Sequence, residues 1–306
     1  MMKNFNKKAL ALATVAILAT GLSSQAHAGA KTYSHLLIDN FQIFNSNNVQ
    51  YDVGDFDDLQ IGNFSTTFAI TNNNGFASND STAGGNLDVT AGSGNADDNA
   101  SCVGAGCSYE DSYTMQASPV NNSFMRGDTE LLGSLITGNG PASSVTANAI
   151  TEGQTEVTDA GSGNADVGTG TQFSFSGIDD TIRFEFDAQA MLQALLHQDD
   201  VSAFAALGFS INIFDNTNGV DVFSFAPGEL NEARTQLDTG STSYDSGFLH
   251  FSATSAQLLA ANTYTLSINQ TTRGRFNAIK PIPEPATLAI FGLALMGLAS
   301  TRRSKT

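Results

Sequence analysis

The strongest constraint on this chain is a two-residue beat. Thr181–Asp187 sets Ile182, Phe184 and Phe186 against Arg183 and Glu185, and Thr263–Gln270 sets Tyr264, Leu266 and Ile268 against Thr265, Ser267 and Asn269. Asn63–Thr71 alternates Phe64, Phe68 and Ile70 with Ser65, Thr67 and Thr71, and Gly208–Asp215 puts Phe209, Ile211 and Ile213 on one side. Successive side chains of a strand point to opposite faces, so each segment offers one face to a core and one to water. Shorter segments of the same kind are Leu36–Phe44, Leu87–Thr90, Gln172–Ser176, Val220–Phe225 and Phe248–Thr254. One buried face per strand points to antiparallel sheets laid face to face, because a parallel sheet covered by helices is apolar on both faces. The expected fold is all-β: an antiparallel β-sandwich, jelly-roll-like, with one or two short helices.

The best helix is Ala188–Gln198, with Ala188, Met191, Leu192, Leu195 and Leu196 at helical spacing and Asp187 as N-cap. Asp128–Ile136 is a second, and Ser255–Ala261 a single turn. Thr71–Ser108 and Gly138–Gly170 are rich in Gly, Asn, Ser, Thr and Asp, and are expected to be long surface loops. The heptapeptide Ala91–Asp97 recurs identically at Ala160–Asp166, each copy after a Val-Thr step, which predicts two equivalent β-turns.

Both ends carry addresses. Lys3, Lys7 and Lys8 precede an apolar run, Ala9–Leu22, and Ala26-His27-Ala28 fits a small-x-small cleavage site. Residues 1–28 are therefore expected to be a signal peptide with a signal helix, and the mature chain to begin at Gly29. The last segment, Pro281–Thr306, contains Pro283-Glu284-Pro285, an apolar stretch from Ala286 to Ala299, and Arg302, Arg303 and Lys305. The prolines keep the chain extended and bar a helix before Pro285. The apolar stretch sits at the lower edge of the roughly 17–25 residues needed to cross a bilayer, and the arginines after it would stay cytoplasmic.

These three parts in this order resemble the PEP-CTERM sorting signal of Gram-negative bacteria. The resemblance implies Sec export, temporary retention in the inner membrane by a C-terminal transmembrane helix, and recognition of Pro283-Glu284-Pro285 by an exosortase. It further implies delivery to the cell surface or extracellular matrix and an association with exopolysaccharide and biofilm. A looser likeness to the ectodomains of such proteins lies in Leu259, Tyr264, Leu266 and Ile268 before a final strand. The organisation is then 1–28 signal peptide, 29–280 ectodomain, 281–306 sorting signal.

Six of the 13 lysines and arginines and one of the 30 acidic residues lie in the two end segments, leaving seven basic and 29 acidic residues, a net charge near −22. That field repels nucleic acid and other polyanions at long range, so no nucleic-acid partner is expected. Cys102 and Cys107, spaced by Val-Gly-Ala-Gly, are expected to close a small disulfide loop in an oxidising compartment.

Oxygen-rich clusters are the candidate metal sites. Asn95, Asp97, Asp98 and Asn99, partly repeated by Asn164 and Asp166, are candidate calcium ligands, with Asp97, Asp98 and Asp166 the carboxylates. Asp52, Asp55, Asp57 and Asp58 form a second cluster. The alternative is solvated acidic turns, and no other cofactor is expected. Glu110-Asp111-Ser112 and Arg126-Gly127-Asp128 stand out. Arg-Gly-Asp on a loop tip can serve adhesion, but the favoured role here is a surface ion pair of Arg126 with Asp111 or Asp128 that pins a loop.

No Gly-x-Ser-x-Gly, His-Glu-x-x-His or phosphate-binding loop occurs, and the mature histidines His35, His197 and His250 are far apart. The expected function is non-enzymatic. A carbohydrate-binding adhesin is the alternative, weakened by the absence of Trp, and a polysaccharide hydrolase using two carboxylates stands behind it.

Overall fold

A strand with one apolar face must lay that face on a second layer, and two sheets do this for each other here. The computed structural model describes residues 29–73, 76–88, 95–104, 113–115, 123–133, 135–136, 144–155, 161–197 and 201–278, with the backbone alone over 73–99. The strands are β1 (Ala30–Phe44), β2 (Leu59–Asn73), β3 (Phe76–Asp88), β4 (Asn95–Gly104), β5 (Phe124–Leu132), β6 (Val145–Gln154) and β7 (Gly161–Phe175). They continue with β8 (Arg183–Leu196), β9 (Ser202–Asp215), β10 (Val220–Phe225), β11 (Ala233–Gln236), β12 (Gly240–Asp245), β13 (Leu249–Thr254) and β14 (Tyr264–Ala278). The first seven-stranded sheet runs β12-β8-β1-β6-β5-β4, with β13 following β12 along β8; the second runs β10-β9-β14-β7-β2-β3, with β11 beside β10 on β9. The strand pairings are antiparallel, as a sandwich of this kind requires. The winding departs from a plain jelly roll, because β4, β5 and β6 follow one another within one sheet.

One half of the interior is aromatic. Phe186 of β8 stacks on Phe41 at 5.0 Å and Phe251 at 5.1 Å and meets Phe209 at 5.0 Å, joining both sheets. Each such ring contributes about 1.5–3 kcal/mol through burial.

The other half has a small, polar band and, beyond it, a second apolar cluster around Met125, Leu196 and Phe276. Thr67 Oγ1 and Ser101 Oγ share a hydrogen bond at 2.7 Å, Ser65 and Thr129 hydroxyls meet, and Thr171 donates to Asn63 Oδ1 at 2.7 Å. This reverses the expected orientation of β2: Asn63, Ser65, Thr67 and Thr71 are buried, and Phe64, Phe68 and Ile70 face outward, half-buried. Register is the cause. Ile61 is paired with Phe173 at the aromatic end, and the pairing of β2 with β7 runs without a slip to Asn73. A period of two then turns every second residue from Asn63 inward. The hydroxyls tolerate burial because they find partners across the interior.

The helices expected within the domain are not there among the described residues. Ala188–Gln198 falls in β8 as far as Leu196, with Ala188, Ala190, Leu192, Ala194 and Leu196 inward. The same residues satisfy a period of two as well as 3.6, and pairing to β1 on one edge and to β12 and β13 on the other overrides alanine's helical preference. Asp128–Ile136 begins in β5, and Ser255–Ala261 is irregular, leading to one hydrogen-bonded turn, Asn262 N–H to Leu259 O at 3.0 Å. Among the described residues the helical elements are two 3-10 turns, Val53–Asp55 and Gly228–Leu230. No helix among the described residues is long and apolar enough to cross a membrane; the expected signal and transmembrane helices lie outside those residues. The two loop regions also need correction. They contain β3, β4, β6 and most of β7, so the second heptapeptide copy is strand from Gly161 rather than turn.

Glycine is abundant in these strands because large side chains of the second apolar cluster pack closely on them. A Cβ on Gly163 would stand 2.5 Å from Phe276 Cε1 and 2.6 Å from Met125 Cγ, two buried side chains. Gly163→Ala is expected to destabilise the fold by about 1–3 kcal/mol through overpacking, read by urea denaturation. Gly228→Ala, with nothing within 4 Å, should stay within about 0.5 kcal/mol. Equal effects at the two positions would contradict this packing.

Candidate functional site

Two places gather polar side chains that the fold alone does not demand. The first lies on the outer face of the first sheet. Register puts Arg126 of β5, Glu152 of β6 and Tyr33 of β1 on one rung, with Lys31 and His35 on either side of Tyr33. Arg126 Nε donates to Glu152 Oε2 at 3.0 Å, Nη2 approaches the same oxygen at 2.8 Å, and Lys31 Nζ lies 3.4 Å from Oε1. An outer face would normally meet water, yet Arg126 is 2% and Glu152 0% exposed.

Residues 113–115 provide part of the cover. Tyr33 O–H donates to Tyr113 O at 3.1 Å, Arg126 Nη2 donates to Thr114 O at 2.8 Å, and the His35 ring stacks on Tyr113 at 6.1 Å. The reading of Arg126 as half of a surface ion pair is therefore overturned. Arg126-Gly127-Asp128 is strand, and both charged residues are buried. Nor can the tripeptide sit on a loop tip: a Cβ on Gly127 would stand 2.5 Å from Val167 Cγ2 of the opposite sheet. Asp111 lies outside the described residues. A carboxylate held between a guanidinium and an ammonium away from water is suited to fixing structure rather than to moving protons.

The second place is on the outside of the second sheet. Four strands align their outward residues in rows across the sheet: Phe68, Asp166, Arg273 and Ala206; then Thr66, Gly168, Thr271 and Gly208; then Phe64, Gly170, Asn269 and Ser210. The middle row is low because two of its members lack side chains. A depression of about 460 Å³ opens over Thr66, Gly168 and Thr271 and is bounded by Phe68, Ala206 and Arg273 of the first row. At its edge Arg273 Nε binds Asp166 Oδ1, and Arg275 donates from Nε to Asn164 Oδ1 at 2.8 Å with Nη2 3.8 Å from Asp166 Oδ2.

The remaining expected site residues are placed as follows. Ala26, Ala28, Pro283, Glu284, Pro285, Arg302, Arg303 and Lys305 lie outside the described residues. Gly29 accepts a hydrogen bond from His197 N at 2.9 Å at the start of β1. Cys102 is buried near the end of β4 and is no free thiol; Cys107 lies outside the described residues. Asp97 and Asp98 fall in β4, and Asp166 in β7 has its carboxylate engaged by arginine. Among the described residues no group of three or more His, Cys, Asp or Glu could hold a metal ion. In the second acidic cluster, Asp52 and Asp55 cap each other's backbone around the turn at Val53–Asp55. His250, exposed, meets Asp187 at 3.0 Å.

Sequence reasoning passed over Lys31 and Glu152, and also Thr66, Gly168, Thr271, Gly208 and Arg273. The available signal was the alternation of Gly168 and Gly170 with Thr169 and Thr171 inside what looked like a loop.

Residues 281–303 match the family model of the PEP-CTERM protein-sorting motif. That motif marks an exported protein sorted by an exosortase. No curated protein and no solved structure matches the chain significantly.

His35 gives the first site a measurable consequence. Burial pushes its pKa from 6.5 down to about 4; the charge of Arg126 adds to the shift and the Asn148 contact opposes it. The folded state holds the ring neutral, whereas the unfolded chain protonates near pH 6.5. This contribution is therefore full above pH 6.5 and is lost as pH falls toward 4, by up to roughly 3 kcal/mol. Urea melts at pH 7 and pH 4.5 should show wild type losing more stability on acidification than His35→Gln. Parallel losses would contradict the buried neutral ring.

Proposed function

We propose that residues 29–280 form a non-catalytic domain delivered to the cell surface or extracellular matrix of a Gram-negative bacterium. Export runs through the Sec machinery, and signal cleavage leaves Gly29 at the start. The apolar stretch 286–299 holds the chain in the inner membrane for a time, and an exosortase acts near Pro283-Glu284-Pro285. On arrival the domain associates with exopolysaccharide in a biofilm or similar matrix. The observation that carries this reading is the sorting motif at residues 281–303. The net charge near −22 keeps such a domain soluble outside the cell, and a Cys102–Cys107 cross-link belongs to the same oxidising route.

The non-catalytic part of the reading draws support from how carboxylates are used. Glu152 is enclosed between cations, and Asp166, the one carboxylate among the described side chains lining the depression, is bound by arginine. A glycosidase needs a pair of carboxyl groups across a sugar, at roughly 5–9.5 Å, so the hydrolase reading lacks support there. The adhesin reading has a specific observation in its favour, the depression itself.

Replacing Pro283, Glu284 and Pro285 together by Ala should leave a full-length precursor in the inner membrane, seen by fractionation of the host and mass measurement of the C-terminal peptide. Release of a normally trimmed protein from that variant would sink the sorting account.

A further inference from the structure

Across its four central strands, β2, β7, β14 and β9, the outside of the second sheet is nearly clear of acid. The middle segment carries 29 acidic residues against seven basic ones. Yet the described side chains facing outward from β2, β7, β14 and β9 include three charged ones: Asp166, Arg273 and Arg275. Asp166 engages both arginines, which leaves the three a net charge of +1. The rest of the face is amide, hydroxyl, glycine and a few apolar side chains, Ile70, Ala206 and phenylalanines, with Phe64 and Phe68 in the rows flanking the low one.

We propose that the row Thr66–Gly168–Thr271–Gly208 is the floor of a channel that binds a strand of neutral polysaccharide. This deepens the matrix reading and rests on it. The channel runs across four strands and at about 4.8 Å per strand is roughly 15 Å long, room for a short run of sugars. Sugar rings offer an apolar C–H face and a rim of hydroxyls. Phe68 provides an apolar wall, and Thr66 and Thr271 line the floor with hydroxyls. Neither threonine is saturated by its own backbone contact, at 3.4 Å to Gly168 O and 3.5 Å to Gly208 O. Neutrality of the ligand follows from charge. A polyanion is repelled by the domain and finds here cations already engaged, while a polycation has 28 other acidic residues of the middle segment to prefer. A second copy of the chain would bring another charge near −22 against the first.

The glycine at position 168 makes the channel testable. Its backbone is not in the left-handed region, and an added Cβ would stand 3.3 Å from Thr66 Oγ1, a hydroxyl that can turn. Gly168→Val should therefore fill the channel and leave the fold. The full chain purified in detergent would be titrated calorimetrically with hydroxyethylcellulose, dextran and polygalacturonate. At least one neutral glucan should bind, with affinity changing less than about twofold between about 0.05 and 0.5 M NaCl because no ion pair is made. Gly168→Val should weaken that binding at least tenfold at unchanged melting temperature; if it does not fold, Phe68→Ala carries the same test.

Binding to neither neutral glucan would overturn the proposal. So would salt-sensitive binding to polygalacturonate alone, neutral binding untouched by both variants, or a dimer through this face with no glucan bound. C-terminal processing of the same protein is scored separately in the host. Normal processing without glucan binding removes this inference and leaves the sorting account, whereas failed processing strikes that account first.

Discussion

The buried pair of Arg126 and Glu152 locks two neighbouring strands of the first sheet together on a face that would otherwise meet water, and ties that face to its cover. Its two members come from adjacent strands, Lys31 adds a third, and Arg126 reaches on to Thr114 in the cover. Desolvating these charges is expensive, and the pair persists because each charge meets an opposite one with good geometry. Once it is made, the segment around Tyr113 has a fixed seat, and Tyr33 and His35 acquire a lid. The outer face of this sheet is thereby committed to structure. That leaves the outside of the second sheet as the broad described face with a depression in it.

The two halves of the interior divide the work of stability. The aromatic half, centred on Phe186, supplies apolar burial in the usual way. The other half relies on hydroxyl pairs and on glycines that let Met125, Phe276 and Val167 fit. A polar interior of this kind has an external consequence. Because β2 keeps its register and turns Ser65 and Thr67 inward, Phe64 and Phe68 must face outward. The apolar wall that Phe68 gives the channel and the hydroxyl pairs of the interior are two sides of the same strand.

Much of the sheet structure was legible in the sequence wherever apolar residues alternate with polar ones. Thr181–Asp187, Gly208–Asp215 and Thr263–Gln270 fall in β8, β9 and β14 with Phe184, Ile211 and Leu266 inward as read. The reading failed where the inward residues are Ser, Thr, Ala and Gly, because hydropathy does not separate a small polar core from a loop. β4, β6 and most of β7 disappeared into supposed loops for that reason. It failed at Ala188–Leu196 because alanine and leucine fill both periods, and only the partner strands choose between them. The sorting signal needed no fold to be seen, since its information is local. The Arg126 site was not legible: its partner Glu152 is 26 residues away, and register alone brings them together.

A double-mutant cycle on Arg126→Met and Glu152→Met, followed by urea denaturation, measures the central interaction most directly. Each single change leaves a buried charge without its main partner and should cost about 3–5 kcal/mol, while the double change, with both charges gone, should cost much less than their sum. A coupling of roughly 2 kcal/mol or more is the predicted result. Additivity within about 0.5 kcal/mol would contradict it and return Arg126 to the surface role first read from the sequence.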